Sequence, residues 1–351
     1  MKRNWISFLI LASLITPGFK PHPKKPVVPQ KPVQHLILIT TDGFRWQEMF
    51  QGADPDLLQD PDYTPQGETL SWLYDGDTPE ERRERLMPFF WRVIAKQGQL
   101  YGNRQHKNMV NTANAYSISY PGYNEILTGN TDLGIFSNGK KNNPNRNILE
   151  YMNSQPDFEG KVAAFSSWDV FPHILNEKRS KLPINSGYDS LSLPTETAAY
   201  LNRLQEEGIY KKEHTRHDRL TFIAAKEYMA EKHPRFVFLG LGETDEFAHQ
   251  GRYDLYLQQA NEFDRMVGEL WHWIQTTPEY KDNTTLIITT DHGRGQRDAR
   301  WTGHGLHIKG SSQTWLAMLG PNIPALGEVK EEQQIWQKDV AGLAVGMMQG
   351  K

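Results

Sequence analysis

Three aspartates and three histidines in this 351-residue chain stand at or just beyond short apolar runs. The run His35–Thr40 leads into Thr40-Thr41-Asp42-Gly43. The run Arg235–Leu241 leads into Glu243-Thr244-Asp245 and then His249, and the run Thr284–Thr289 into Thr290-Asp291-His292-Gly293. His304 follows in Trp301-Thr302-Gly303-His304-Gly305, ahead of the run Thr314–Leu319. A single Asp after a strand is ordinarily a turn or cap residue. Three carboxylates gathered on one rim would repel each other, and divalent cations remove that conflict. Mixed His and carboxylate donors suit Zn²⁺ better than Ca²⁺ or Mg²⁺. Six protein ligands are too many for one tetrahedral ion and enough for two, so a two-metal site is expected, able to activate one oxygen and stabilise another.

These residues converge only if the apolar runs are neighbouring strands with their carboxyl ends together, where open α/β sheets bind ligands. The runs are His35–Thr40, Lys161–Phe165, Arg235–Leu241, Thr284–Thr289 and Thr314–Leu319. Helical stretches lie between them. From Arg252 to Thr276 the residues Tyr256, Ala260, Phe263, Val267, Leu270 and Ile274 form one apolar helical face. Further helices are expected over about Thr215–Glu231 and Gln334–Met348. Alternating strands and helices predict an α/β fold: a three-layer sandwich with a mostly parallel central sheet and helices on both faces. Thr78-Pro79-Glu80-Glu81 reads as a helix start, with Thr as cap and Pro at the first position. Residues 35–351 read as a single catalytic domain, with an insertion at about 50–107 that shapes a pocket.

Composition narrows the function. Lys and Arg number 39 and Asp and Glu 42, a net charge of −3, which argues against non-specific nucleic-acid binding. The 10 Trp, 14 Tyr and 15 Phe supply a large core and exclude wholesale disorder. The chain has no Cys, which excludes disulfides, thiolate-ligated metal and a thiol nucleophile. Lys2 and Arg3 precede an apolar run from Trp5 to Ile15. That is the form of an export signal over 1–19, with an uncleaved N-terminal membrane anchor as the alternative, and it predicts a periplasmic or secreted protein. The Pro- and Lys-rich residues 20–34 read as a linker.

In the order and spacing of these motifs the chain resembles the alkaline phosphatase superfamily, closest to its nucleotide pyrophosphatase/phosphodiesterase branch. The resemblance implies that Asp42, Asp291 and His292 hold one metal and that Asp245, His249 and His304 hold the other. For the last of these His304 is favoured over His307, because W-x-x-H-G before the final strand is the family-like pattern. The implied metals are Zn²⁺, with Mn²⁺ as the alternative. The family places a Ser or Thr nucleophile two residues before a Pro, with Thr-Gly shortly after. Ser119 in Ser117-Ile118-Ser119-Tyr120-Pro121-Gly122 matches it, with Thr128-Gly129 downstream and Ser117 as the fallback. Gly134-Ile135-Phe136-Ser137-Asn138 resembles the stretch whose Asn binds a phosphoryl oxygen, which implies that role for Asn138. The implied activity is an exported phosphoester hydrolase, phosphodiesterase-like or phosphatase, acting through a phospho-seryl intermediate.

Sulfatases of the superfamily need C/S-x-P-x-R, and Tyr123 stands at the Arg position. No motif-matched phosphate-binding Arg appears, which tilts the reading toward diesters. Arg45, Arg252 and Arg294 lie close to the metal motifs, where the plain alternative is a surface ion pair. Trp46, Trp168 and Trp301 adjoin strand ends, where they either stack on substrate or pack under loops. The alternatives to hydrolysis are a phosphotransferase or mutase on the same site, then a sulfatase, then a non-catalytic metal-binding protein. The expected partner is a small-molecule phosphate ester or diester, and no protein partner is expected.

Overall fold

The computed structural model describes residues 32–350 apart from 213, 297–299 and 322. The signal or anchor expected over 1–19 lies outside the described residues, as do residues 20–31 of the expected linker.

The strand β1 (His35–Thr41) is buried along its whole length. Side chains alternate faces along a strand, so Leu36 and Leu38 enter one core while Ile37 and Ile39 enter the other. A strand that is apolar on both faces needs cover on both, which a sheet between two helical layers supplies. The other strands are β2 (Gln99–Tyr101), β3 (Asn108–Asn111), β4 (Val162–Ser166), β5 (Ile184–Ser186), β6 (Phe236–Leu241), β7 (Thr284–Thr290), β8 (Gln313–Thr314), β9 (Leu316–Leu319), β10 (Gly327–Glu328) and β11 (Gln333–Trp336). Eight of them form the central sheet in the order β10-β2-β9-β7-β1-β6-β4-β5. The strands β7, β1, β6, β4 and β5 run parallel, and β9 runs against both its neighbours. The three-layer α/β sandwich with a mostly parallel sheet is the architecture of the chain.

Register positions the site. Thr41 pairs with Leu241 on one side and Thr290 on the other. The residues that follow, Asp42, Gly242 and Asp291, therefore leave the sheet at one level. One layer contains the helix Ser119–Thr128 and the C-terminal helix Asp339–Gln349. The other contains the helices Trp46–Gln51, Pro79–Leu86, Asp218–Lys232 and Tyr253–Thr276. All six residues of the expected apolar face on the Tyr253–Thr276 helix are buried. Each large one contributes roughly 1.5–3 kcal/mol of transfer free energy. Thr78 Oγ1 accepts from Glu81 N at 3.2 Å, capping the helix that Pro79 begins. Residues 50–107 supply further helices to this layer and β2 to the central sheet. A cleft of about 460 Å³ opens where Trp46, Gln51, Asp54, Arg82 and Gln296 meet.

Two expectations are corrected. The helix expected from Gln334 begins only at Asp339, because Gln333–Trp336 pairs in parallel with β3 in a three-stranded sheet, order β11-β3-β8. The run Thr314–Leu319 is split between two sheets at Trp315, whose indole N–H donates to Phe44 O at 3.0 Å.

Asp264, buried on the Tyr253–Thr276 helix, anchors the segment from the 50–107 region. Its two oxygens accept from Phe89 N at 2.8 Å and Phe90 N at 2.9 Å. Burial outweighs these two bonds and pushes its carboxyl up to about 7. The native state then holds a proton that the unfolded chain releases near pH 4. The corresponding stability is fully present below about pH 4 and is lost as pH rises to about 7, by at most about 1.4 kcal/mol per pH unit. Asp264→Asn is expected to flatten the fall of Tm between pH 5 and pH 7. An unchanged slope in the variant overturns the assignment.

Candidate metal centre at the sheet rim

Two clusters of candidate metal ligands lie at the carboxyl ends of the strands: Asp42, Asp291 and His292, all buried, and Asp245, His249 and His304. Within each cluster the donor atoms lie within 4.8 Å of one another. The structure thus brings together all six residues singled out in the sequence. His307 belongs to neither cluster.

In the first cluster, β1 leads into Asp42 and β7 leads into Asp291-His292. Gly43 turns the chain with φ 59°, and a Cβ there would lie 2.6 Å from Asp245 Oδ1. Only glycine serves at this turn. Its N–H donates to Asp291 Oδ1 at 3.0 Å. Asp291 Oδ2 is buried with no hydrogen-bond partner among the described residues. His292 Nδ1 bonds to Gly293 O at 3.0 Å, which makes Nδ1 the protonated nitrogen. The lone pair of Nε2 then faces Asp42 Oδ1 at 3.3 Å and Asp291 Oδ2 at 3.5 Å. A His tautomer fixed by a backbone carbonyl is the arrangement of a metal ligand. Burial, then the charge of Asp245, pushes Asp42 well above the usual carboxylate range. Burial and then Asp42 do the same to Asp291. Both shifts mark a site that lacks positive charge.

In the second cluster, Asp245 and His249 stand four residues apart on the helix Glu243–His249, and so share one face. His249 Nε2 lies 3.1 Å from Asp245 Oδ2 and 3.0 Å from His304 Nε2. His304 Nδ1 bonds to Ser117 O at 3.1 Å, again leaving an Nε2 lone pair on the site. Burial, then His292, pushes the His304 ring down to about 2, so it is neutral, as a ligand must be. Burial opposes the charge on Asp245, but Arg294 and the neighbouring imidazoles outweigh it and hold the carboxyl well below its usual range. The clusters abut: the His292 and His304 rings stack with centroids 3.8 Å apart, and His292 Nε2 lies 4.0 Å from Asp245 Oδ1. Glu243, by contrast, turns away to His217 Nδ1 and Asp218 N. The buried carboxyl of Asp218 accepts from Gly242 N and Glu243 N and so holds the start of the ligand-bearing helix.

Ser119 opens the helix Ser119–Thr128, with Ile118 as its cap residue. Its Oγ lies 3.4 Å from Asp42 Oδ1 and 3.3 Å from His292 Nε2. The helix packs so closely on the Asp291 turn that a Cβ at Gly122 would meet Asp291 O at 2.5 Å. Ser117 Oγ is bonded instead to Thr112 Oγ1 at 3.3 Å. Asn138 stands beside the same helix start. Its Oδ1 accepts from Tyr120 N at 3.0 Å, which leaves its NH₂ group as the remaining donor.

Two residues already noted in the sequence, Tyr123 and Arg294, take parts in the site that sequence reasoning did not assign to them. Tyr123 donates to Asp42 Oδ2 at 3.1 Å and fixes that carboxylate against the Ser119 helix. Its spacing of one helical turn from Ser119 was a usable signal. Arg294 is fully buried and donates to Asp245 Oδ1, to Thr302 O, and to Trp301 O at 3.0 Å. The surface ion pair considered for Arg45 and Arg294 is therefore corrected. Arg45 is also fully buried and pairs with Glu48, because residues so near a central sheet are covered by the helices that follow it. Arg252 pairs with Asp254 at 2.6 Å. Trp301 is buried against Tyr63, Tyr253 and Tyr256, where it packs rather than faces a ligand.

Residues 196–307 match the model of the Metalloenzyme superfamily, a stretch that includes five of the six clustered ligands and excludes Asp42. No curated protein matches the chain in sequence. In fold the chain is similar to the lipoteichoic acid synthase LtaP from Listeria monocytogenes, with a TM-score of 0.60, 9% identity, and coverage of 92% of this chain and 73% of that one. It is similar to the alkaline phosphatase PafA, with a TM-score of 0.57, 9% identity, and coverage of 91% and 96%. It is also similar to the phosphonate monoester hydrolase SpPMH from Silicibacter pomeroyi, with a TM-score of 0.53, 13% identity, and coverage of 88% and 72%. The shared fold is that of the alkaline phosphatase superfamily, and no branch within it is singled out.

Proposed function

We propose, for a chain with the alkaline phosphatase superfamily fold and a Metalloenzyme superfamily match over most of its ligands, a two-metal phosphoester hydrolase that favours diesters. The observation that carries this reading is the position of Ser119 Oγ, 3.3–3.4 Å from donor atoms of Asp42 and His292 at the start of a helix.

The residues fit divalent cations. Asp291 Oδ2 is a buried carboxylate oxygen without a partner, and two imidazole lone pairs face the carboxylates. Asp42, Asp291 and His292 would hold one ion, and Asp245 through Oδ2, His249 and His304 the other. Mixed N and O donors favour Zn²⁺, with Mn²⁺ as the alternative. Such ions would favour the ionised forms of the serine hydroxyl and of the departing alcohol.

Ser119 Oγ attacks phosphorus as the bond to the leaving oxygen breaks, and the phosphoryl group is carried on Ser119. Water then hydrolyses that ester and returns the free serine. The Asn138 NH₂ group serves the charge that develops on a phosphoryl oxygen. The helix beginning at Ser119 turns its N-terminal end toward the same anion. Arg45, Arg252 and Arg294 are each committed to a carboxylate. That commitment supports a substrate with one negative charge rather than two. The basic and then apolar N-terminal residues support export to the periplasm or beyond.

The test is a pair of hydrolysis rates, for p-nitrophenyl phosphate and bis-p-nitrophenyl phosphate, with Zn²⁺ and after chelation. The diester is expected to be the faster substrate, with activity lost on chelation and regained with metal. Faster monoester turnover moves the function to a phosphatase at the same site. Added acceptor alcohol separates transfer from hydrolysis. Hydrolysis that survives chelation overturns the proposal.

A further inference from the structure

Nine large hydrophobic side chains are exposed among the described residues, and three of them stand on two loops that touch residues 116–120. They are Leu133, 74% exposed, Phe136, 64%, and Leu306, 57%. They come from two loops that converge on residues 116–120. Tyr116 Oη donates to Leu133 O at 2.9 Å. Phe136 lies two residues before Asn138, whose side chain receives the N–H of Tyr120. Leu306 lies two residues after His304, and the intervening Gly305 approaches Tyr116 O and Ile118.

A cleft of about 490 Å³ opens on this side, lined in part by Asn114, Ser117, Gly305, Leu306, His307 and Lys309. Its walls join the loop that ends at the candidate nucleophile to the loop that carries the ligand His304. Its outer edge carries the exposed side chains of Leu306, His307 and Lys309. Leu306 lines this cleft, and Leu133 and Phe136 stand on the other loop that meets residues 116–120. Exposed apolar side chains scattered singly need no explanation, whereas several carried on the loops beside one candidate site mark a binding surface. A small hydrophilic phosphate ester gives these three residues nothing to cover. A phosphoester with a hydrocarbon chain would lay that chain across them while its phosphoryl group sits at Ser119.

Resting on the reading of the site as a phosphoester hydrolase, we infer that the substrate is amphiphilic: a phosphoester whose alcohol carries an alkyl or acyl chain, bound along Leu133, Phe136 and Leu306.

Chain-length dependence tests this without requiring turnover. The dissociation constants of butyl-, hexyl- and octylphosphonate for the zinc-loaded full chain would be measured by calorimetry below their micelle concentrations. Burying a methylene completely is worth a factor of about four. On this open rim the affinity is expected to rise about twofold per methylene, at least about tenfold from butyl to octyl. In the double variant Phe136→Ser/Leu306→Ser that ratio is expected to fall below about threefold. These side chains are exposed, and circular dichroism would check that the variant is folded. Equal affinities along the series overturn the inference, and so does a chain-length gain that survives the double substitution. A flat series with a concentration-dependent shift in size on gel filtration assigns the patch to self-association instead, which also overturns it. Hydrolysis of bis-p-nitrophenyl phosphate by the same preparation reports separately on the reading of the site. Diester turnover with a flat series leaves the hydrolase standing and removes the amphiphile. A steep series without turnover keeps the apolar subsite and removes the hydrolase.

Discussion

Ser119→Ala is expected to lower turnover of the preferred phosphoester by about 10³-fold or more while the protein retains its full complement of metal. The substitution removes one oxygen. Ser119 is the first residue of its helix, and Ile118 rather than Ser119 occupies the cap position, so the helix does not depend on the hydroxyl. The atoms that Oγ touches, Asp42 Oδ1 and His292 Nε2, keep their own anchors: Tyr123 Oη on Asp42 Oδ2, and the Gly293 carbonyl on His292 Nδ1. The six clustered donors therefore stay in place. What disappears is the proposed nucleophile, and loss of an enzyme's nucleophile ordinarily costs many orders of magnitude. Metal analysis by mass spectrometry and steady-state rates on one preparation make the comparison. A variant within tenfold of the parent removes Ser119 from the chemistry, and a variant that loses metal as well leaves it only a structural part in the site.

Most of this geometry is legible in the sequence because its cause is local. An apolar strand buried on both faces announces itself in four to seven residues, and the ligands follow directly at its carboxyl end. Hence Asp42, Asp291 and His292 are visible as ligand candidates at strand ends, while their grouping into one set comes from the family resemblance. Asp245 and His249 are visible through helical spacing. The alignment of Thr41 with Leu241 and Thr290 is what makes the three strand ends coincide, and the motifs carry that information only jointly.

What escaped is set by distant partners. Gln333–Trp336 becomes a strand because β3, more than two hundred residues earlier, offers it an edge. Trp315 interrupts an apolar run because its indole N–H finds the carbonyl of Phe44. The burial of Arg45 and Arg294 follows from the helical layer laid over them, and an arginine seen alone in a sequence reads as a surface residue.

Arg294 carries the second large expected effect. Its guanidinium is fully buried and divides its donors among three acceptors: Asp245 Oδ1, Trp301 O and Thr302 O. Asp245 belongs to the second cluster, and Trp301 and Thr302 lead directly to His304 of the same cluster. Arg294 itself stands two residues beyond His292. One side chain thus ties the turn after β7, the helix Glu243–His249 and the His304 loop into one body. Its work is positional, since these bonds leave it turned away from a substrate phosphate. Arg294→Met keeps much of the volume and removes the charge and all three donors. Asp245 then loses its cation, and a buried carboxylate stripped of its partner costs several kcal/mol. Trp301 O and Thr302 O lose this donor at the same time, which loosens the hold on His304 against His249. The second metal is expected to leave first, so that equilibrium dialysis against micromolar Zn²⁺ gives about one equivalent bound instead of two, and turnover falls about 10²-fold or more. The Asp42, Asp291 and His292 cluster makes no hydrogen bond to Arg294 and is expected to keep its ion. Arg294→Lys restores the charge but presents a compact ammonium to three acceptors arranged for a planar fork. It should therefore recover part of the metal affinity and little of the rate. A methionine variant that still binds two equivalents with parental affinity would show that the second cluster assembles without Arg294, and would leave the arginine as a packing residue.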